Sequence, residues 1–233
     1  MRKPFWFFTS YNRRPTNDWG FSSSCHLDMG CGAKVRNPFM APKLIGADVL
    51  SLSIVETQLD HEYLELDPSG GIPLPNESIE SISGFDFIEH LHRGSQLEPN
   101  FFIKFMNEAA RVLRNGGVLI LVTPAFPSPL AFQDPTHVNF ITEQTVHYFV
   151  GQNPGATSAR YGYWGKFELI SQQWVGPFSK VWIARPNVKD KGTNSLGAIT
   201  RQLVWTLRKP RRIRALISQL RKPSHLLWVL RKI

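Results

Sequence analysis

The stretch Leu27-Asp28-Met29-Gly30-Cys31-Gly32 constrains this chain more than any other. An apolar run breaks into a turn holding two glycines. A second apolar run then ends at Gly46-Ala47-Asp48, with Asp48 twenty residues after Asp28. Glycine lets the backbone bend sharply and approach a ligand closely. A carboxylate at the tip of the next strand is placed to accept the hydroxyls of a ribose. The pattern therefore predicts an α/β sheet whose first strand opens onto a nucleoside-bearing ligand.

A dinucleotide site asks for more. Its pyrophosphate rests on a helix N-terminus behind a third glycine. Here that third position is Val35, and Pro38 and Pro42 interrupt the crossover where the helix belongs. A short or irregular first helix is expected. A nucleoside without phosphates, such as S-adenosylmethionine, needs neither feature.

The body alternates strands and helices. Strands are predicted at Ser24 to Met29, Lys43 to Val49, Tyr63 to Asp67 and Ser81 to Phe87. Glu98 to Arg114 reads as a helix, because Phe101, Phe102, Phe105, Met106, Ala109, Val112 and Leu113 recur at helical spacing. Asn115-Gly116-Gly117 supplies a left-handed stop. Val118 to Thr123 is an uninterrupted apolar run suited to a parallel sheet buried on both faces. Thr142 is positioned to cap a helix reaching about Val150. Lys166 to Val175 and Ser179 to Ala184 read as a closing pair of strands, joined by a link that allows only an antiparallel hairpin. The expected fold is a Rossmann-like, mostly parallel seven-stranded sheet with a C-terminal antiparallel hairpin and a basic helical tail.

Charge divides the chain. Residues 185–233 hold 13 Lys/Arg against one acid, Asp190, while the rest carries 14 Lys/Arg against 17 acids. Three related units, LVWTLRKP, LISQLRKP and LLWVLRKI, read as short amphipathic helices, with Trp205 and Trp228 in matching positions. The division predicts an N-terminal extension over 1–23, a main domain over 24–186, a polar linker over 187–198 and a basic tail over 199–233. Tryptophans beside basic residues suit an anionic membrane surface. Phosphate contacts with a nucleic acid, or packing of the tail on the body, are the other uses of such a tail. The apolar run near Phe5 is too brief for a signal-peptide core, and no stretch is long enough to span a bilayer. Two cysteines, Cys25 and Cys31, fit neither a disulfide framework nor a zinc site. A cytoplasmic location, with contact to the inner membrane face through the tail, is the expectation.

Several segments resemble the class I methyltransferases that use S-adenosylmethionine. LDMGCG is similar to their first motif, and Asp48 falls at their ribose-binding acid. LDPSGGIPLPNESIESISGFDFIEHL and NEAARVLRNGGVLILVTP resemble the segments that follow. VRNPF and FQDPTHVNFITEQT are similar to bacterial members associated with cell-surface glycans. The family's third glycine is replaced here by Lys34. The resemblance covers about residues 24 to 185. It implies that Asp28, Gly30, Cys31 and Gly32 hold the methionine end of S-adenosylmethionine. It further implies Asp48 at the ribose, Asp67 at the adenine, and Asp86 with Phe87 near the sulfonium.

Methyl transfer to a hydroxyl needs a base, usually histidine. Candidates on the loops after strands four and five are Glu89, His90, His92, Asp134 and His137, of which His137, Asp134 and His90 are the chosen set. Reading the histidines as metal ligands is the weaker option, since their spacing is not diagnostic. The sequence thus points to methyl transfer to a small-molecule or glycan acceptor, at oxygen. The alternatives are an RNA acceptor gripped by the tail, or a non-catalytic adapter docked on a membrane.

Overall fold

Leu119, Ile120, Leu121 and Val122 are fully buried because their strand runs through the middle of a sheet covered on both faces. The computed structural model describes residues 23–32, 35–50, 61–66, 71–95, 100–151, 160–176 and 223–233. Its strands are β1 (Cys25–Met29), β2 (Lys43–Asp48), β3 (Glu62–Glu65), β4 (Ile79–Phe85), β5 (Leu113–Pro124), β6 (Phe167–Val175) and β7 (His225–Lys232). They lie in the order β3-β2-β1-β4-β5-β7-β6. The pairings among β1 to β5 are parallel, and β7 is antiparallel to both β5 and β6. The expected seven-stranded, mostly parallel architecture is present.

Side chains alternate across β5 as a strand's two-residue period requires. Leu119 and Leu121 join the larger core with Leu27, Ile82 and Trp228, while Val118, Ile120 and Val122 face Phe39, Phe85 and Val229. Helix α1 (Phe101–Val112) covers the first of these faces, burying Phe102, Phe105, Met106, Ala109 and Val112. Burying each large apolar side chain contributes roughly 1.5–3 kcal/mol. Asn100 caps α1 by accepting from the Ile103 amide at 3.1 Å. The helix is shorter than the predicted 98–114 because Leu113 already belongs to β5. Gly116 has φ +80° but lies inside β5, and the helix instead ends at Leu113 in extended backbone (φ −67°, ψ 139°), so the stop expected at Asn115-Gly116-Gly117 is not what ends it.

The first crossover, over the described residues 35–42, is a turn about Asn37, whose side chain both donates to and accepts from Ala41. The helix expected after Thr142 is only a single 3-10 turn, Thr145–Tyr148, although the Thr142 hydroxyl does accept from the Gln144 amide.

The basic tail requires the largest correction. Residues 225–232 are not a helix. They form β7, inserted between β5 and β6, and Trp228 is fully buried there. Leu226 to Leu230 is a continuous apolar run, which suits a strand buried on both faces. Trp228 therefore cannot face a membrane, and the domain boundary expected at 186 does not hold, since β7 completes the sheet. The other tail units, the linker over 187–198, the strand expected over 179–184, Asp67 and the extension before Ser23 lie outside the described residues. Among the described residues, no helix is long and apolar enough to cross a membrane.

Candidate functional site

The turn after β1 is laid over the end of β2. The Gly30 and Cys31 amides both donate to the Ala47 carbonyl, at 2.8 and 3.2 Å. Gly30 and Gly32 have φ of +65° and +56°. A side chain at Gly30 would also collide with the Phe87 ring, its Cβ lying 2.7 Å from Cδ2. At Gly32 a Cβ would meet nothing within 4 Å, so the backbone there faces open space. The Asp48 carboxylate stands beside it, accepting from the Gly32 amide at 2.7 Å and from the Leu50 amide at 3.1 Å. Asp86 and Phe87 follow β4 at the same carboxyl-end rim of the sheet, and Asp86 is held at φ +49°. Open glycine backbone with a half-exposed carboxylate alongside fits a nucleoside bearing an amino acid group.

Two members of the expected cofactor set face inward. The Cys31 thiol is buried against its own turn, and burial pushes it up to about 12. Asp28 is fully buried and spends one oxygen on the Ser83 hydroxyl (2.6 Å) and the other on the Arg36 amide (2.7 Å). Its carboxyl therefore organises the turn and the Val35–Ala41 strap rather than facing a ligand.

Asp28 ends a buried chain of five links: Asp28–Ser83, Ser83–His26 Nε2, His26 Nδ1–Ser81, Ser81–Ser23, and Ser23 to the Cys25 carbonyl. Burial holds His26 down to about 3, so its ring is neutral and contributes one proton. Three hydroxyls and that ring supply four protons for five links. Ionised, Asp28 accepts from Ser83 and one link lacks a proton; protonated, it can supply the fifth. Burial, opposed by the Ser83 and Arg36 hydrogen bonds, lifts its carboxyl to about 6. A carboxyl raised in the fold adds stability that is complete below its ordinary value near 3.8 and is lost as pH rises through 6. The loss amounts to about 3 kcal/mol at neutral pH. Asp28→Asn supplies the missing donor without a charge. It is expected to raise Tm by on the order of 5 °C at neutral pH and to leave it unchanged under acidic conditions below both values. Equal shifts at both pH values in thermal melts would refute the proton count.

The loops after β4 and β5 are clamped together. The Glu89 carbonyl accepts from the Val138 and Asn139 amides, and the Asn139 side chain donates to the Ile88 and Leu91 carbonyls. This brings His90 and His137 face to edge, with ring centroids 4.7 Å apart. The His137 Nδ1 lies 3.2 Å from the Ala131 carbonyl, which can only accept, so Nδ1 carries the proton and Nε2 the lone pair. Thr136 donates to Asp134 at 2.6 Å and so accepts from His90 Nδ1 at 3.0 Å, which leaves Nε2 of His90 as its basic nitrogen too. The Thr136 hydroxyl and amide hold Asp134 below the usual carboxylate range.

Glu89, at the floor of this cluster, is buried. One oxygen accepts from Thr123 at 3.0 Å, and the other has no hydrogen-bond partner among the described residues. Burial lifts its carboxyl to about 8, so it is protonated at neutral pH. A carboxylate oxygen and one nitrogen of each imidazole lie within 4.8 Å of one another, which raises the question of a cation. A protonated Glu89 beside two ring nitrogens with fixed tautomers suits proton transfer better. The structure thus unites His90, His137 and Asp134. It leaves His92 apart, where it accepts from the Gly94 amide and rests near Phe101. Sequence reasoning missed Thr136 and Thr123. It also missed His225, whose Nε2 lies 3.1 Å from Asp86. A surface concavity lined by Arg111, Trp164, Lys166 and Lys232 opens at the opposite end of the sheet.

No protein-family model matches the chain. Over 105 residues it is 31% identical to a probable S-adenosylmethionine-dependent methyltransferase of Mycolicibacterium smegmatis, a match covering 42% of this chain and 37% of that protein. The chain thus spans well under half the length of that curated relative. Among solved structures it superposes on a SAM-dependent methyltransferase from Archaeoglobus fulgidus with a TM-score of 0.52 at 14% identity, covering 94% of this chain and 91% of that one. It superposes comparably on the 4+2 cyclase SpnF, with a TM-score of 0.51 at 13% identity, covering 91% and 75%. Likeness at such identities is likeness of fold, and the cyclase carries a different chemistry on it.

Proposed function

Because the chain is built on the class I methyltransferase fold, we propose that it transfers a methyl group from S-adenosylmethionine to a hydroxyl oxygen of a small-molecule or glycan acceptor. One observation carries the reading: a pair of histidines with free Nε2 lone pairs stands over the carboxyl ends of β4 and β5, on the same rim as the open glycine turn of β1. When bound, the cofactor supplies an electrophilic methyl carbon on a sulfonium. The chain's residues do the rest. The Gly30–Gly32 backbone would hold the amino acid end, and Asp48 would hold the ribose hydroxyls. Asp67 is assigned to the adenine by resemblance alone. Asp86 and the Phe87 ring offer negative charge and a π face to a cation. His137 Nε2 would take the acceptor's hydroxyl proton, and Asp134 orients His90 through Thr136.

Calorimetry tests the reading. Asp48→Ala is expected to raise the Kd for S-adenosylmethionine about thirtyfold, the loss of charge-assisted hydrogen bonds worth about 2 kcal/mol. Unchanged affinity removes the ribose assignment. No binding by folded wild-type protein at millimolar cofactor removes the enzyme reading altogether and leaves the adapter. If the cofactor binds but only RNA is methylated, the acceptor class is wrong.

A further inference from the structure

We propose that Phe126, Phe132 and Phe140 form a docking patch that seats this protein on an anionic phospholipid surface. The three rings are 55%, 52% and 49% exposed. They touch each other. Phe132 and Phe140 stack with centroids 5.1 Å apart, and Phe126 meets Phe132 edge-on at 6.4 Å. Exposed phenylalanines scattered singly are ordinary, but three in contact are an interaction surface.

The patch is held firmly. The Phe126 amide donates to the Ile141 carbonyl at 2.8 Å, and Ala125 and Ile141 form a β-bridge, so Phe126 and Phe140 flank a fixed junction. Phe132 lies on α2 (Leu130–Gln133), the short helix between them. A rigid aromatic cluster keeps its rings in water at a cost that insertion among lipid headgroups removes.

Charge identifies the lipid. The Arg93 guanidinium lies over the Phe140 ring, 5.6 Å from its centroid. Asp134, the acid within this loop, is engaged by Thr136. Residues 177–222 hold 12 Lys/Arg and one acid. The described chain on either side of that stretch meets the sheet at the patch: the Ser224 amide donates to Val175, and the Ser224 carbonyl accepts from Ala125, the residue before Phe126. The basic residues of the chain are thus concentrated, in sequence, between two described ends that meet the sheet beside Ala125, and each basic residue near an anionic surface contributes about 1 kcal/mol. This inference does not depend on methyl transfer.

Co-sedimentation of the full chain with phosphatidylcholine vesicles, with and without phosphatidylglycerol, tests it. Binding is expected to the anionic vesicles and to weaken as salt rises. Serine at all three positions is expected to lower partitioning at least thirtyfold, on the scale of about 2 kcal/mol of lost apolar burial, with Tm unchanged because the rings lie outside the core. Should that variant fail to fold, Phe132→Glu alone tests the same face and is expected to lower partitioning about tenfold. Wild-type protein that ignores anionic vesicles, binds neutral ones equally well, or loses nothing on these substitutions overturns the proposal. A wild-type dimer that the substitutions convert to a monomer also overturns it, by assigning the patch to a second copy of the chain.

Discussion

Replacing His137 by alanine is expected to lower kcat by about 10²–10⁴-fold while S-adenosylmethionine binds as before. The argument is geometric. The Ala131 carbonyl fixes the proton on Nδ1, so the neutral ring exposes Nε2 as a base without rearranging. Burial and the neighbouring His137 both hold His90 below the ordinary histidine value. Glu89 sets the alkaline limit. Its carboxyl, lifted to about 8 by burial, is a neutral donor at pH 7 and becomes a buried, uncompensated anion above that value. Activity is therefore expected to fall on an alkaline limb near pH 8, and Glu89→Gln, which cannot ionise, is expected to flatten it. Full turnover in the His137 variant, or an alkaline limb that persists in Glu89→Gln, would remove these roles from the two residues.

Trp228→Ala is expected to destabilise the fold by about 3–5 kcal/mol in urea unfolding. Trp228 is fully enclosed, opposite Leu121 of β5 and Gln172 of β6, and belongs to the main core. Removing its ring leaves a cavity in the middle of the sheet. Among the described residues the indole N–H has no hydrogen-bond partner, so Trp228→Phe discards an unpaired donor while keeping most of the volume. That change is expected to cost less than about 1.5 kcal/mol. A residue on an exposed tail helix would show a change within about 0.5 kcal/mol for either substitution. A near-neutral Trp228→Ala would therefore restore the helical reading of residues 225–232.

Local signals in the sequence were dependable where the physics itself is local. The apolar spacing of α1 and the strands from β1 to β5 follow from short-range periodicity, whereas the stop expected at Gly116 falls inside β5 because the strand begins at Leu113. The run Leu226 to Leu230 does not follow from periodicity, because five consecutive apolar residues fit a buried strand and a buried helix alike, and the partners that decide are β5 and β6. The repeat with the two earlier Arg-Lys units pointed the wrong way. The site divides similarly. Gly30, Gly32 and Asp48 were legible because the strand-turn-strand motif is itself the geometry. Asp28 was legible as part of the motif but not as an inward-facing group, since Ser83 and Arg36 reach it from other elements. His90 and His137 could be chosen as loop histidines. Their contact depends on the Glu89 carbonyl gripping the 138–139 backbone, which spacing does not reveal.

The position of β7 also dictates an order of assembly. It follows β6 in sequence yet separates β5 from β6, so β6 has no neighbour among the described strands until residues 225–232 arrive. Before that, the parallel strands β1 to β5 form a sheet whose β5 edge is long, apolar and unpaired, a template for pairing with another chain. Bringing together segments this far apart in sequence is entropically modest but slow to reward, because their contacts form only once they meet. Exposure to aggregation therefore belongs to the interval before β7 inserts, and its insertion is the step that makes the sheet cooperative.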